Sequence, residues 1–132
     1  MKKEFKNKLN KLGIVAVYLF GSVAIGRRSP MSDIDIGIIF RSVESLGSTK
    51  ETYPYLYNFF TELYPSFCLD IVFLQSSPLT LQHDAIKNGK VIFDMDPMQR
   101  ANYEAEVIKR YLDFKPVLKI FDEAFTLRHV YA

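Results

Sequence analysis

An apolar strand pattern runs straight into Gly-Ser and, ten residues later, meets an acid-x-acid strand. No other segment restricts the folding of this chain as much. Ile14–Phe20 is apolar or aromatic throughout, with β-branched Ile14, Val15 and Val17, and reads as a strand covered on both faces. Gly21-Ser22 follows directly, and ten residues separate Ser22 from Asp33. In Asp33–Phe40 the two-residue period puts Asp33 and Asp35 on one face and Ile34, Ile36 and Ile38 on the other. A glycine turn and two carboxylates are thereby committed to neighbouring strands.

Those residue types suit phosphoryl transfer. A Gly-Ser turn leaving a strand, with a helix able to begin at Val23, points backbone N–H groups and a hydroxyl at whatever lies above the strand end. Gly21 lets the backbone approach closely because it has no Cβ. Asp33 and Asp35 can together hold divalent cations, and oxygen-only ligands favour Mg²⁺ or Mn²⁺ over zinc. A third acid, Asp70, stands in the apolar stretch Phe67–Leu74. If that strand lies beside Asp33–Phe40, Asp70 reaches the same cations and completes the metal site on the nucleophile side. Three acids converging on one point should raise at least one carboxyl pKa.

The rest of the chain alternates helices and strands. Lys2–Leu12 reads as an amphipathic helix capped by Gly13. Thr52-Tyr53-Pro54 marks a helix start, after which Tyr53, Tyr57, Phe60 and Tyr64 form one helical stripe expected in the core. Pro78–Asn88 reads as a helix ended by Gly89, and Lys90–Phe93 as a short strand. From about 97 to 130 the pattern is helical, with Pro116 expected to divide it and Asp113 placed to cap a second helix. These C-terminal helices pack on the domain or on a partner. Cys68 is expected as a small buried hydrophobe, and His83 and His129 as surface residues.

Composition closes off several classes. The 132 residues make a single domain, 1–132, of an α/β (α+β) chain with a mixed sheet of about four strands and a helical tail. A formal charge of +2 gives no case for direct nucleic-acid binding. The single cysteine excludes an internal disulfide and a Cys-rich zinc site. The basic N-terminus lacks a signal-peptide cleavage pattern, and no apolar run approaches a membrane span, so a cytoplasmic protein is expected.

The Gly-Ser, ten-residue spacer and Asp-x-Asp pattern resembles that of the DNA polymerase β-like nucleotidyltransferases. Phe20 through Asp35, followed by Ile36-Gly37-Ile38, is similar to the minimal nucleotidyltransferases, which pair with HEPN-domain proteins and include the MntA-type antitoxins. Tyr111-Leu112-Asp113-Phe114-Lys115-Pro116 is similar to the same group. The resemblance implies the polymerase β-like fold, ATP with Mg²⁺, and transfer of AMP to a tyrosine of a cognate HEPN toxin, silencing it. It implies Asp33, Asp35 and Asp70 as catalytic and metal-binding, and Gly21 and Ser22 as nucleotide-binding. Where the family usually has Arg this chain has Ile25, and Arg28, three positions on along a helix, can reach similar space. Two alternatives stay open: transfer of a nucleotide to a small hydroxyl compound, and a non-catalytic antitoxin that masks its partner. With no room for a second, acceptor-binding domain, length favours an acceptor carried by another protein.

Overall fold

The computed structural model describes residues 2–21, 33–42 and 49–131, with only the backbone of 125–131. Helix α1 (Lys3–Lys11) ends at Gly13, which takes φ 78° and turns the chain into strand β1 (Ile14–Phe20). Strand β2 (Asp33–Phe40), helix α2 (Thr49–Leu63) and strand β3 (Cys68–Phe73) follow. A 3₁₀ turn, Leu74–Ser76, leads to helix α3 (Leu79–Asn88), strand β4 (Lys90–Asp94) and helix α4 (Pro97–Tyr131). The sheet order is β3-β2-β1-β4, with β1 antiparallel to both β2 and β4, and β3 parallel to β2. This is the expected mixed four-stranded sheet with helices.

Alternation along β2 builds a core on each side of the sheet. Ile34, Ile36, Ile38 and Phe40 meet Leu9 of α1 and Leu56, Phe59 and Phe60 of α2. On the opposite side Ala16, Tyr18, Phe20 and Ile39 meet Leu74 and Ala85 of α3. A bulge between Ile14 and Ala16 shifts the β1 register, so that Ile14 joins the first cluster and Val15 the second. The side chain of Gln75 extends the sheet end as a strand would: its Nε2 donates to the Phe40 carbonyl at 3.0 Å, and its Oε1 accepts from the Phe40 N–H at 2.8 Å.

The first part of α4 is fastened to the sheet by polar contacts. Buried Tyr18 donates from Oη to Glu104 Oε1 at 2.5 Å. Arg100 bridges Glu104 and Asp94 at 2.9 and 2.8 Å. Burial and the Glu104 carboxylate hold the Tyr18 phenol well above its ordinary range, so it stays a donor. Tyr103 Oη donates to Gln82 Oε1 at 2.7 Å, tying α4 to α3.

Several expectations change. α2 begins at Thr49, so Thr52 does not cap it and Pro54 lies inside. The carbonyl that Pro54 leaves without a donor belongs to Lys50, which is exposed and open to water. The buried face of α2 is Leu56, Phe59 and Phe60. Tyr53 and Tyr57 lie at its exposed margin, stacked on each other, because their hydroxyls favour a wet edge. α4 is one helix through Pro116, where the ring removes one intrahelical hydrogen bond at a cost of about 3 kcal/mol. His83 is not simply a surface residue: its ring stacks on Tyr111 at 3.6 Å and 7°.

Replacing Tyr18→Phe leaves Glu104 with Arg100 as a partner but removes a buried, charge-assisted hydrogen bond. We expect a loss of about 1.5–3 kcal/mol in urea unfolding, with nucleotide-dependent thermal shifts preserved.

Candidate active site

The acids sit on the side of the sheet that faces α3. In the parallel β2–β3 ladder Asp35 stands directly opposite Asp70, and Asp33 opposite Cys68. Side chains opposite one another share a face, so Asp33, Asp35 and Asp70 project together, as expected from the sequence. Their neighbours in the ladder confirm the side: Ile71 and Ile36 both join the α2 cluster, while Val72, opposite Gly37, packs with the α3 cluster.

Gly21 closes this end of the sheet. It follows Phe20, which pairs with Asp35 in the antiparallel β1–β2 ladder. Its φ of +89° is one that L side chains rarely adopt, and a Cβ there would come within 2.5 Å of Asp35 Oδ2. The turn thus lies against the acid pair for two independent reasons, backbone angle and space. Ser22, Ile25 and Arg28, the other residues singled out for nucleotide contact, lie outside the described residues.

Asp35 is half-buried, and its carboxyl pKa is raised above the usual 3.8. Burial is the largest cause, followed by the charges of Asp70, Asp33 and Asp84. Mutual repulsion was the effect foreseen from the sequence, yet desolvation exceeds it. Asp84 is a fourth acid near the group that the sequence did not single out. It lies in α3 and accepts from Asn88 Nδ2 at 2.6 Å. Nothing in helical periodicity links α3 to β2, so only the packing of α3 on the sheet reveals it. Asp33 and Asp70 are exposed. Asp70 stands in an apolar stretch, but β3 is an edge strand and leaves it in solvent. Cys68 is exposed for the same reason, contrary to the expected small buried hydrophobe.

Among the described residues, no group of three or more His, Cys, Asp or Glu side chains is drawn together closely enough to hold a metal ion alone. The donor set nevertheless fits Mg²⁺ or Mn²⁺: oxygen ligands only, like charges crowded at Asp35, and an open side. Mg²⁺ is ordinarily held by one or two carboxylates with the remaining positions filled by water and substrate phosphates. An open array of acids is what that mode of binding requires.

Residues 3–98 match the family described as Polymerase beta, Nucleotidyltransferase. The chain belongs to the polymerase β nucleotidyltransferase family. No curated protein sequence matches it. Solved structures do. One is a toxin–antitoxin with AMP-PNP, 23% identical, covering 91% of this nucleotidyltransferase and 98% of that chain with a TM-score of 0.67. The toxin–antitoxin MntA–HepT is 20% identical, with 94% and 99% covered and a TM-score of 0.59. A third is the tri-AMPylated Shewanella oneidensis HEPN toxin in complex with MNT antitoxin, 19% identical, with 95% and 99% covered and a TM-score of 0.57. At these identities the likeness is one of fold.

Two outcomes are expected. Gly21→Ala forces the backbone or Asp35 to move, so it should lower nucleotidyl transfer by about 100-fold or more while the chain still folds. For Asp35, a carboxyl raised on folding burdens the folded state once it ionises. Its penalty is absent below the unfolded value of 3.8 and is complete above the raised folded one. Asp35→Asn should therefore raise Tm at pH 7 without metal, by no more than about 3 °C because the group is only half-buried. Thermal melts should show that advantage shrinking as pH falls toward 3.8.

Proposed function

We propose that this nucleotidyltransferase transfers AMP from ATP to a tyrosine hydroxyl of a HEPN-type toxin, the α–β phosphoanhydride breaking to release pyrophosphate, and acts as that protein's antitoxin in the cytoplasm. The observation that carries the reading is the register pairing of Asp35 with Asp70, with Asp33 on the same face and Gly21 against Asp35. Membership of the nucleotidyltransferase family supports the reaction class. Likeness to a toxin–antitoxin with AMP-PNP supports an adenine nucleotide, and likeness to a complex with a tri-AMPylated HEPN toxin supports AMP as the group transferred and a protein as acceptor. Among the described residues no helix is long and apolar enough to cross a membrane.

The residues divide the work as follows. Asp33 and Asp35 would hold Mg²⁺ or Mn²⁺ together with the triphosphate, and Asp70 would complete the site on the side of the attacking hydroxyl. A divalent ion bound there supplies charge neutralisation for the phosphate oxygens. Gly21 offers its backbone N–H to those oxygens, and the sequence pattern assigns the Ser22 hydroxyl and the Arg28 guanidinium to the same triphosphate. Asp70, exposed at the sheet edge, can orient the acceptor hydroxyl and take its proton. Asp35, desolvated and beside Gly21, is positioned by packing and has little freedom to turn away. The rate gain then comes from holding phosphate and hydroxyl in line and from fixed charge around the α-phosphorus.

Labelled AMP should pass from ATP to a co-expressed HEPN-domain partner, with Asp33→Ala, Asp35→Ala and Asp70→Asn each reducing transfer by about 100-fold or more. Transfer at the wild-type rate in the Asp33/Asp35 double variant would refute the reading. ATP with Mg²⁺ should raise Tm by mass action, and ATP alone should do so less. An unchanged Tm at saturating Mg²⁺ and ATP contradicts the shared-metal site.

A further inference from the structure

Helix α4 has two halves with opposite surroundings. Its first half is packed: Tyr103 reaches Gln82, Val107 is buried, and Tyr111 stacks on His83. From Leu112 to Ala124 every residue is exposed except Leu118, which is half-buried. The exposed ones include Leu112 at 59%, Ile120 at 64% and Phe121 at 65%, together with Phe114 and Val117. Residues 112–131 amount to about 30 Å of helix. Helices of this length are marginal in water without packing, and a contiguous apolar surface of this kind marks a contact site.

The pattern on that arm describes what covers it. Leu112, Pro116 and Ile120 recur every four residues along one line, and Phe114, Val117 and Phe121 form a second stripe at three- and four-residue steps. Lys115 and Lys119 flank the first line and rim a shallow cleft of about 540 Å³ between Tyr111 and Asp122. An apolar arc two stripes wide is wider than one facing helix covers; it fits a groove between two helices. The family match ends at Met98, just inside α4. The structural likeness continues: 91% or 95% coverage of 132 residues leaves about 12 or 7 unmatched, fewer than residues 112–131 contain. At least part of the projecting helix therefore belongs to the fold shared with chains solved in toxin–antitoxin complexes.

We propose that the half of α4 beyond Tyr111 is the docking arm for the acceptor protein, seated in a groove between two helices of that partner. Lys115 and Lys119 face acidic residues on the groove rim. The inference rests on the reading that the acceptor is a HEPN-type protein. Because the packed half of α4 is tied to the sheet through Glu104 and to α3 through Tyr103 and Tyr111, a partner gripped by the arm is held in a fixed relation to the acids.

The test uses the full chain and a purified HEPN-domain protein from the chain's own genome, with affinity measured in the absence of ATP. Ile120→Glu combined with Phe121→Glu should weaken binding by about 30-fold or more, as for central contact residues. Tm and its response to Mg²⁺ and ATP should stay as in wild type, which separates lost docking from lost folding. AMP transfer by this variant should fall at low partner concentration and recover at high concentration, a KM effect. Asp33→Asn with Asp35→Asn should bind the partner normally and transfer nothing. Binding by wild type and the acid variant, without transfer by either, sinks the enzymatic reading and leaves the docking arm standing. Unchanged affinity in the Ile120/Phe121 variant overturns the docking arm. So does a wild-type homodimer that this variant abolishes, which would make the occupant a second copy. No complex with wild type at all overturns both.

Discussion

Strand β2 is hydrogen-bonded along both edges, and its two ladders fix everything the site depends on. Toward β1 the antiparallel register sets Phe20 opposite Asp35 and carries Gly21 against the carboxylate. Toward β3 the parallel register sets Asp70 opposite the same residue. A slip of one residue in either ladder would send the acids into the α2 core. The core itself prevents that slip, because Ile34, Ile36 and Ile38 are fully buried on the other face. The apolar half of β2 thus holds the polar half in register.

The price of that placement falls on Asp35. It is the acid most removed from water and the one on which the other charges converge, whereas Asp33 and Asp70 remain in solvent. A site with one constrained and two exposed carboxylates is open to substrate from one side and firm on the other. That combination leaves room for water and substrate phosphates to complete the coordination of a cation, the way Mg²⁺ is ordinarily held.

Polar contacts set the position of α4. Tyr18, Glu104, Arg100 and Asp94 join the central strand β1, the edge strand β4 and the helix in one connected set, each member with a partner. Such a network specifies one arrangement more sharply than apolar packing does, because any other arrangement leaves buried polar groups unpaired. It also makes α4 stiff where it leaves the domain, so the exposed half projects from a fixed root.

Much of this was legible in the residues, since periodicity is a local property. The alternation of Asp33, Ile34, Asp35 and Ile36 assigned faces before any strand had a neighbour. The apolar run at Ile14–Phe20, the Gly-Ser turn and the helix ends at Gly13 and Gly89 likewise needed only near neighbours in the chain. What failed were judgements about burial and continuity. Cys68 looked buried from its apolar flanks, but its exposure depends on β3 being an edge. Pro54 and Pro116 looked like boundaries, but a proline forfeits only one hydrogen bond and a long helix absorbs it. Asp84 was invisible because the distance between α3 and β2 is not a sequence distance. The sequence by itself determined which face of each strand carries the acids and which carries the apolar side chains. The tertiary structure alone decided which strand stood at the edge, which acid lost its water and where α4 ran out of domain to pack on, because each depends on contacts between segments that periodicity cannot relate.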